Sequence, residues 1–400
     1  MKKIGIFWEN FEYGGVETYL TTLINNEKFK NYEFTVITNS SNKVIKNFKK
    51  KIKRKNFTII LYRSINQIII KNFLIKLFFF ILKPIFFLLS IFQIYFLLRN
   101  RKFDIFISQC GGFGDFRTDF ASIIIAKILR YPIRTAVIHH CYTKPKMWSR
   151  TINIINYFIA KLCTSLIFVS KATFKNIKTK TLILKNKKIF SEIINNGINL
   201  DQVKKINYFK KTDKNVIRAI VLSRIEHNKG HVDLIDSFKY LPSNLKKKIK
   251  IYFVGRGNSE FIKSMKIKIL NNKLYDNFVF TGFIAKDSRE IISNFDVLIS
   301  PTRDFEGFGL SIAESLSVGV PVISTKVGGV MDYLNKKNSI LIKPRNPKLI
   351  ANSLNLFIKN RERYKNMALQ GKKLIKKSFS ADLMSKKYIY HFAKMEIKNV

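Results

Sequence analysis

The stretch "SPTRDFEGFGLSIAESLSVGVPVIS", residues 300–324, ends an apolar strand at Ser300, turns through Gly307 and Gly309, and starts an amphipathic helix near Gly309 before a second apolar run, "VPVIS" (320–324). Strand, glycine turn, helix and strand make the repeating unit of a parallel sheet covered by helices. The same turn leaves backbone N–H groups of Gly307, Phe308, Gly309 and Leu310 unblocked at a helix N-terminus, which suits a phosphate group. Glu306 and Glu314 stand on either side, and carboxylates repel phosphate. They suit hydroxyls instead, because an ionised carboxylate only accepts and a sugar diol offers two donors. A ligand with hydroxyls at both ends and phosphates in the middle has this order of groups, and a nucleotide sugar is such a ligand.

The pattern repeats outward from that stretch. Upstream, "VIRAIVLS" (216–223), "IKIYFVG" (249–255), "NFVFTG" (277–282) and "DVLIS" (296–300) alternate with amphipathic intervals, as parallel strands buried on both faces do. A first set precedes them: "KIGIF" (3–7), "EFTVIT" (33–38), "FTIILY" (57–62), "FDIFIS" (103–108), "IRTAVIH" (133–139) and "SLIFVS" (165–170). A lysine-rich polar segment at 201–215 separates the two sets. With 400 residues and 46% hydrophobic content, the chain suits two cores of about 150 to 200 residues each. The expected domains are therefore 1–196 and 197–379, both doubly wound α/β. Residues 380–400 read as a terminal amphipathic helix that either domain, the N-terminal one included, can receive.

Charge points to an anionic partner. Lys and Arg number 73 against 26 Asp and Glu, a formal charge of +47, spread over both halves and not confined to a tail. Nucleic acid, a phosphorylated substrate and an acidic membrane surface all fit. Lys, Ile, Asn and Phe are all over-used, so the base composition of the coding DNA is an equal candidate cause. Cys110, Cys141 and Cys163 have no C-x-x-C spacing and read as reduced, buried thiols in a cytoplasmic protein. The N-terminus has no long apolar core ending in small residues, so no secretory signal is expected.

Segment 73–98, "FLIKLFFFILKPIFFLLSIFQIYFLL", is the outlier. Its longest uncharged run, 84–98, falls short of the roughly 20 residues that span a bilayer core. Residues 34–103 contain no Asp or Glu but 15 Lys and Arg. Apolar bulk with acid-free basic charge suits a segment lying on an anionic leaflet. A buried crossover helix between strands 57–62 and 103–108 is the other reading, and both hold if one face stays exposed.

The E-x7-E arrangement in "EGFGLSIAE" (306–314), followed by "GVPVIS" and "GG", resembles the signature of glycosyltransferase family 4, the group 1 retaining enzymes of the GT-B fold. Further matches run along nearly the whole chain: "GGVE" (14–17), "FVSKAT" (168–173), "NNGIN" (195–199), "SRIEHNKG" (223–230), "VGRG" (254–257) and "FTGFI" (280–284). Each is weak alone, and their order and spacing carry the resemblance. It implies two Rossmann-like domains facing across a cleft, the first for the acceptor and the second for a nucleotide-sugar donor.

The resemblance also implies roles. Arg224 and Lys229 would neutralise the donor diphosphate as charge builds on it. Glu314 would accept from the ribose hydroxyls, and Glu306 would lie near the transferred sugar. Gly14 and Gly15 would let backbone approach the donor phosphate or the acceptor, while Gly282, Phe283 and Ile284 would line the base pocket. A histidine at the end of strand 133–139 would reach towards the donor sugar; alternation sends His139 and His140 to opposite faces, so one of them enters the cleft, and His139 is favoured because its distance from the strand start fits better. The implied reaction is glycosyl transfer with retention, from a UDP- or GDP-sugar to a glycan or lipid-linked acceptor in cell-surface polysaccharide or lipopolysaccharide biosynthesis. No metal and no other cofactor is expected, since the chain has no D-x-D triplet and an Arg–Lys pair can neutralise the charge that Mg²⁺ neutralises elsewhere. The apolar 73–98 segment favours peripheral attachment to the inner face of the plasma membrane. A GT-B phosphorylase or sugar-phosphate synthase is the near alternative. Nucleic-acid binding is the remote one and is not expected, because no motif of that class occurs and the basic residues are dispersed.

Overall fold

The structure, a computed structural model, describes residues 1–9, 14–42, 44–65, 82–112, 117–144, 149–185, 189–203 and 216–399. Residues 73–81 of the apolar segment, with Lys76, lie outside that set. Among the described residues the apolar runs form two sheets, and every pairing in both is parallel. The first contains β1 (Lys2–Phe7), β2 (Tyr32–Asn39), β3 (Phe57–Tyr62), β4 (Ile105–Cys110), β5 (Ile133–Ile138), β6 (Ser165–Phe168) and β7 (Phe190–Ile193), in the order β3-β2-β1-β4-β5-β6-β7. The second contains β8 (Ile217–Leu222), β9 (Ile249–Val254), β10 (Phe278–Gly282), β11 (Val297–Ser300), β12 (Val322–Thr325) and β13 (Ile340–Ile342), in the order β10-β9-β8-β11-β12-β13. β4 and β6 are buried along their whole length, as strands covered on both faces must be. The sequence reading does not anticipate the two edge strands β7 and β13. "FSEI" offers only two apolar residues and "ILI" only three, and each pairs with a single neighbour.

Helices cover the sheets. Around the first lie α1 (Gly15–Asn25), α2 (Ile45–Lys51), α3 (Lys83–Leu98), α4 (Thr118–Ile128), α5 (Ser149–Leu162) and α6 (Lys171–Lys180). Around the second lie α7 (His231–Ser237), α8 (Ser243–Lys246), α9 (Ser259–Asn271), α10 (Ser288–Ile292), α11 (Leu310–Ser317), α12 (Pro347–Lys359) and α13 (Arg361–Ser378). The chain divides into two compact units: Met1–Glu12, Val16–Asn195 and Asp382–Val400 form one, and Tyr13–Gly15 with Asn196–Ala381 form the other. The terminal helix α14 (Ala381–Asn399) thus packs on the first unit. There Tyr388 and Tyr19 share a buried 2.6 Å hydrogen bond, and the His391 ring sits 2.8 Å from both Glu192 and Ser165.

Helix α3 answers the question raised by the apolar segment. Pro84 opens it at a position that needs no N–H donor. Phe87, Ser90, Ile94 and Leu98, spaced by three or four residues, bury one stripe in the core of the first unit. The opposite stripe, Ile85, Leu88, Leu89, Phe92 and Phe96, is exposed. The helix is therefore both a crossover element and an apolar surface. Among the described residues no helix is long and apolar enough to cross a membrane. Cys110 and Cys163 are buried, whereas Cys141 is only half-buried and so departs from the expected set of three buried thiols.

Each sheet has a point where successive strands depart to opposite sides, at β1/β4 in the first and β8/β11 in the second. In open parallel sheets ligands bind beyond the carboxyl ends of the strands at this switch point. Two segments follow β8 and β11 there: residues 223–230 and 301–309.

Candidate active site

In the second unit, β8 runs into Ser223 and Arg224, then a short 3₁₀ turn at His227–Lys229, then Gly230 and α7. Gly230 has φ +72°, and a Cβ there would stand 1.9 Å from the Pro301 carbonyl oxygen, so only glycine lets this turn lie against the segment after β11. Polar contacts then hold the two segments together. The Arg303 N–H donates to Asn228 O (2.7 Å) and the Asp304 N–H to Asn228 Oδ1 (3.0 Å). The Arg303 guanidinium grips Asp233 at the start of α7 with two bonds, Nε–Oδ2 2.7 Å and Nη2–Oδ1 2.6 Å, a planar fork that Lys could not reproduce.

This frame brings Lys229 Nζ to 2.6 Å from Glu306 Oε2, with less than a fifth of either side chain exposed. The Glu306 backbone is fixed as well, its carbonyl accepting from the Gly329 N–H at 2.7 Å. Gly328, at φ +63°, lies so close that a Cβ would approach that carbonyl to 2.1 Å. Gly307 and Phe308 lead to Gly309, whose left-handed φ of +82° aims the chain into α11. Gly309 contributes no capping side chain, and the Tyr333 hydroxyl holds the turn from behind through the carbonyls of Phe308 (3.0 Å) and Gly309 (2.8 Å). Leu310 begins the helix. Glu314 lies one turn inside it and is buried. An anion at this N-terminus would meet the positive end of the helix dipole, and the charge of Glu306, which would repel it, is balanced by Lys229.

Arg224 is about half exposed and pairs with Glu226 at 2.8 Å, so in this structure it is not joined to Lys229 and Glu306. Gly282 ends β10 at φ +72°, its carbonyl accepting the Gly255 N–H at 2.9 Å, and a Cβ there would meet nothing within 4 Å. Phe283 follows, with the Arg256 guanidinium 5.3 Å from its ring centroid, and then Ile284. Sequence reasoning did not single out Arg256, Asp233, Arg303 or Tyr333 for a role at the site. Arg256 lies inside the quoted "VGRG" and Arg303 inside the stretch 300–324, whereas Asp233 and Tyr333 carry no local signal.

Gly14 precedes α1 and Gly15 opens it. Glu17, the acid of "GGVE", is buried and bonded to Lys51 Nζ at 3.0 Å; burial raises its pKa and Lys51 pulls it back. It therefore serves the packing of α1. His139 follows β5, with Nε2 2.7 Å from Gln109 Oε1 and the Tyr19 ring at its edge, 5.1 Å away. Burial pushes its pKa down to about 3, so the imidazole is neutral at ordinary pH, with its Nε2–H donated to Gln109. His140 Nδ1 instead lies 3.2 Å from Cys141 Sγ. Among the described residues no group of three His, Cys, Asp or Glu side chains is placed to hold a metal ion.

Two parallel, doubly wound sheets of seven and six strands, each covered by helices, have the architecture of the GT-B fold. Family models agree on both halves: "Glycosyltransferase Family 4" matches residues 13–202 and "Glycosyl transferases group 1" matches residues 203–374. The chain belongs to glycosyltransferase family 4, group 1. It is 26% identical over 323 residues, 76% of its length and 79% of the relative's, to the uncharacterized glycosyltransferase MJ1069 of Methanocaldococcus jannaschii. It is also 26% identical to the capsular polysaccharide biosynthesis glycosyltransferase CapM of Staphylococcus aureus, over 65% of this chain and 70% of that one. Among solved structures, Anabaena Alr3699/HepE in complex with UDP-glucose superposes with a TM-score of 0.74 at 17% identity, covering 98% of this chain and all of that one.

Proposed function

We propose that the enzyme transfers a sugar, with retention, from a UDP- or GDP-sugar to a glycan or lipid-linked acceptor of a cell-surface polysaccharide or lipopolysaccharide. The observation that carries this reading is the Lys229–Glu306 pair beside the start of α11, where one cation, one acid and a row of backbone amides meet. In this reading the diphosphate lies against the amides of Gly307 to Leu310, with Lys229 and Arg224 as its cations. Glu314 takes the ribose hydroxyls, Glu306 the hydroxyls of the departing sugar, and Gly282 to Ile284 the base. Gly14 and Gly15 give the ligand phosphate or the acceptor close access to backbone. His139 contributes a neutral imidazole that adds no charge as the sugar gains positive character.

The bond from the anomeric carbon to the diphosphate oxygen breaks and a bond from that carbon to the acceptor oxygen forms on the same face. The acceptor's proton passes to the departing diphosphate. Two cations offset the charge on the leaving group, so the proposal includes turnover without a metal. The complex of HepE with UDP-glucose and the role of CapM in capsule synthesis support the donor class and the acceptor class respectively. The exposed apolar stripe of α3 supports peripheral attachment to an anionic inner leaflet.

Thermal-shift screening against UDP-, GDP- and ADP-sugars tests the donor, because a bound donor raises the melting temperature in proportion to its affinity and concentration. Incubation of the stabilising donor with acceptor, chelator and a phosphate or sugar-phosphate control then reads the reaction. Transfer to glycan or lipid is expected. Turnover only with phosphate or a sugar phosphate would move the enzyme to the phosphorylase or synthase class.

A further inference from the structure

Helices α3, α4 and α5 return the chain between parallel strands, so their C-terminal ends gather at one end of the first sheet; α3 packs on α4 and α4 on α5. Between them lies a groove of about 450 Å³ walled by Phe87, Ile124, Ile155, Phe158, Ile159 and Leu162, with Lys161 as its single charged neighbour. Its outer lips are apolar too. Ile154 and Phe158 on α5 and Leu88, Leu89, Phe92 and Phe96 on α3 are exposed, far more apolar surface than a surface helix of a soluble unit displays.

Cations close each of the three helices. Arg99 caps α3 and lies 5.0 Å from the Phe96 ring centroid; Lys127 and Arg130 close α4; Lys161, in the last turn of α5, lies 4.4 Å from the Tyr157 ring and 5.3 Å from Phe158. These cations stand at the helix C-termini, whose dipoles favour them. Few acids oppose them: neither 34–103 nor 120–191 contains an Asp or Glu, Asp104 between them accepts from the Lys3 N–H, and Asp119 at the start of α4 is buried against Arg117. Lys161 at the wall of an apolar groove, on a face whose three helices end in cations, suits a bilayer lipid with its phosphate at the cation and its chain along the groove.

We propose that this groove seats one hydrocarbon chain of an anionic membrane lipid, with Lys161 at its phosphate. The proposal rests on the peripheral-membrane reading above and adds α5, which the sequence did not implicate, and a specific lipid contact to it. Of Phe86, Phe87 and Leu88 in the apolar run, Phe87 points into the core and walls the groove, so Leu88, Phe92 and Phe96 are the outward set.

The test incubates the full chain with phosphatidylcholine vesicles containing roughly one third phosphatidylglycerol that carries a diazirine on an acyl chain, an anionic fraction large enough to attract a basic face. Co-sedimentation is measured, and the adducts are mapped after irradiation. Expected are adducts on Ile155, Phe158 or Leu162, falling about tenfold in Ile155→Trp, which fills the groove, and in Lys161→Glu, while co-sedimentation changes less than about twofold. Phe158→Ser removes an exposed ring without touching the core, so loss of groove adducts in that variant does not depend on folding. Co-sedimentation with adducts confined to Leu88, Phe92 and Phe96 would overturn the groove and leave peripheral attachment standing. No co-sedimentation would overturn both, and equal labelling by phosphatidylcholine alone would overturn the anionic headgroup.

Discussion

Lys229 and Glu306, 77 positions apart in the chain, meet at 2.6 Å where the segments leaving β8 and β11 come together. The acid nearest the start of α11 thus has its own cation. In the proposed function, Lys229→Ala removes a charge-assisted partner of both Glu306 and the incoming diphosphate. Such bonds are worth about 1.5–3 kcal/mol, so nucleoside diphosphate affinity should fall by roughly ten- to hundredfold. Titration calorimetry reads the change, and Glu306→Gln in the same background should restore part of it by removing the stranded carboxylate.

Glu314 is assigned to ribose. Glu314→Gln should weaken binding of a nucleoside diphosphate by about tenfold, the value of one charged hydrogen bond, yet leave a 2′,3′-dideoxy analogue unaffected. Equal losses for both ligands would remove Glu314 from that role and make its burial structural.

Three histidines whose pKa values burial lowers, His139, His231 and His391, predict how stability follows pH. Burial lowers the His139 pKa to about 3 and that of His231 to about 4, both below the unfolded value near 6.5. The unfolded chain therefore binds more protons between those values, and the stability tied to the neutral rings is complete above pH 6.5 and lost progressively below it. Melting temperature should drop from pH 7 to pH 5, and His231→Asn should flatten the drop. A flat profile in the parent protein would contradict the lowered pKa values of these rings.

Gly230 and Gly282 share φ +72° and differ in surroundings. At Gly282 a methyl meets open space, so Gly282→Ala carries only the backbone term of about 1 kcal/mol. At Gly230 it meets the Pro301 carbonyl, so Gly230→Ala should cost more, about 2–4 kcal/mol, and shift Lys229 away from Glu306. Denaturant unfolding of the two variants separates backbone strain from steric collision.

Much of the architecture was legible because buried parallel strands must be apolar: every run marked in the sequence from "KIGIF" to "VPVIS" became a strand, with ends displaced by a residue or two. β7 and β13 were not, since a short edge strand needs little apolar content and takes its register from one neighbour. At the site, Gly309 and Glu314 could be placed from local spacing alone. The pairing of Lys229 with Glu306 and the fork of Arg303 on Asp233 could not, because both join segments brought together only when β8 and β11 become neighbours. Periodicity showed that α3 was apolar throughout, but only packing decided which stripe the core would cover.

The central claim is that the glycine turn before α11, with Lys229 and Arg224, holds the diphosphate of a nucleotide sugar. Calorimetric titration of UDP, GDP and ADP into the parent protein and into Lys229→Ala tests it most directly. Saturable binding of at least one of the three, weakened by roughly tenfold or more in the variant, is the predicted result. Binding of none, or equal affinity in both proteins with the fold intact, would contradict it.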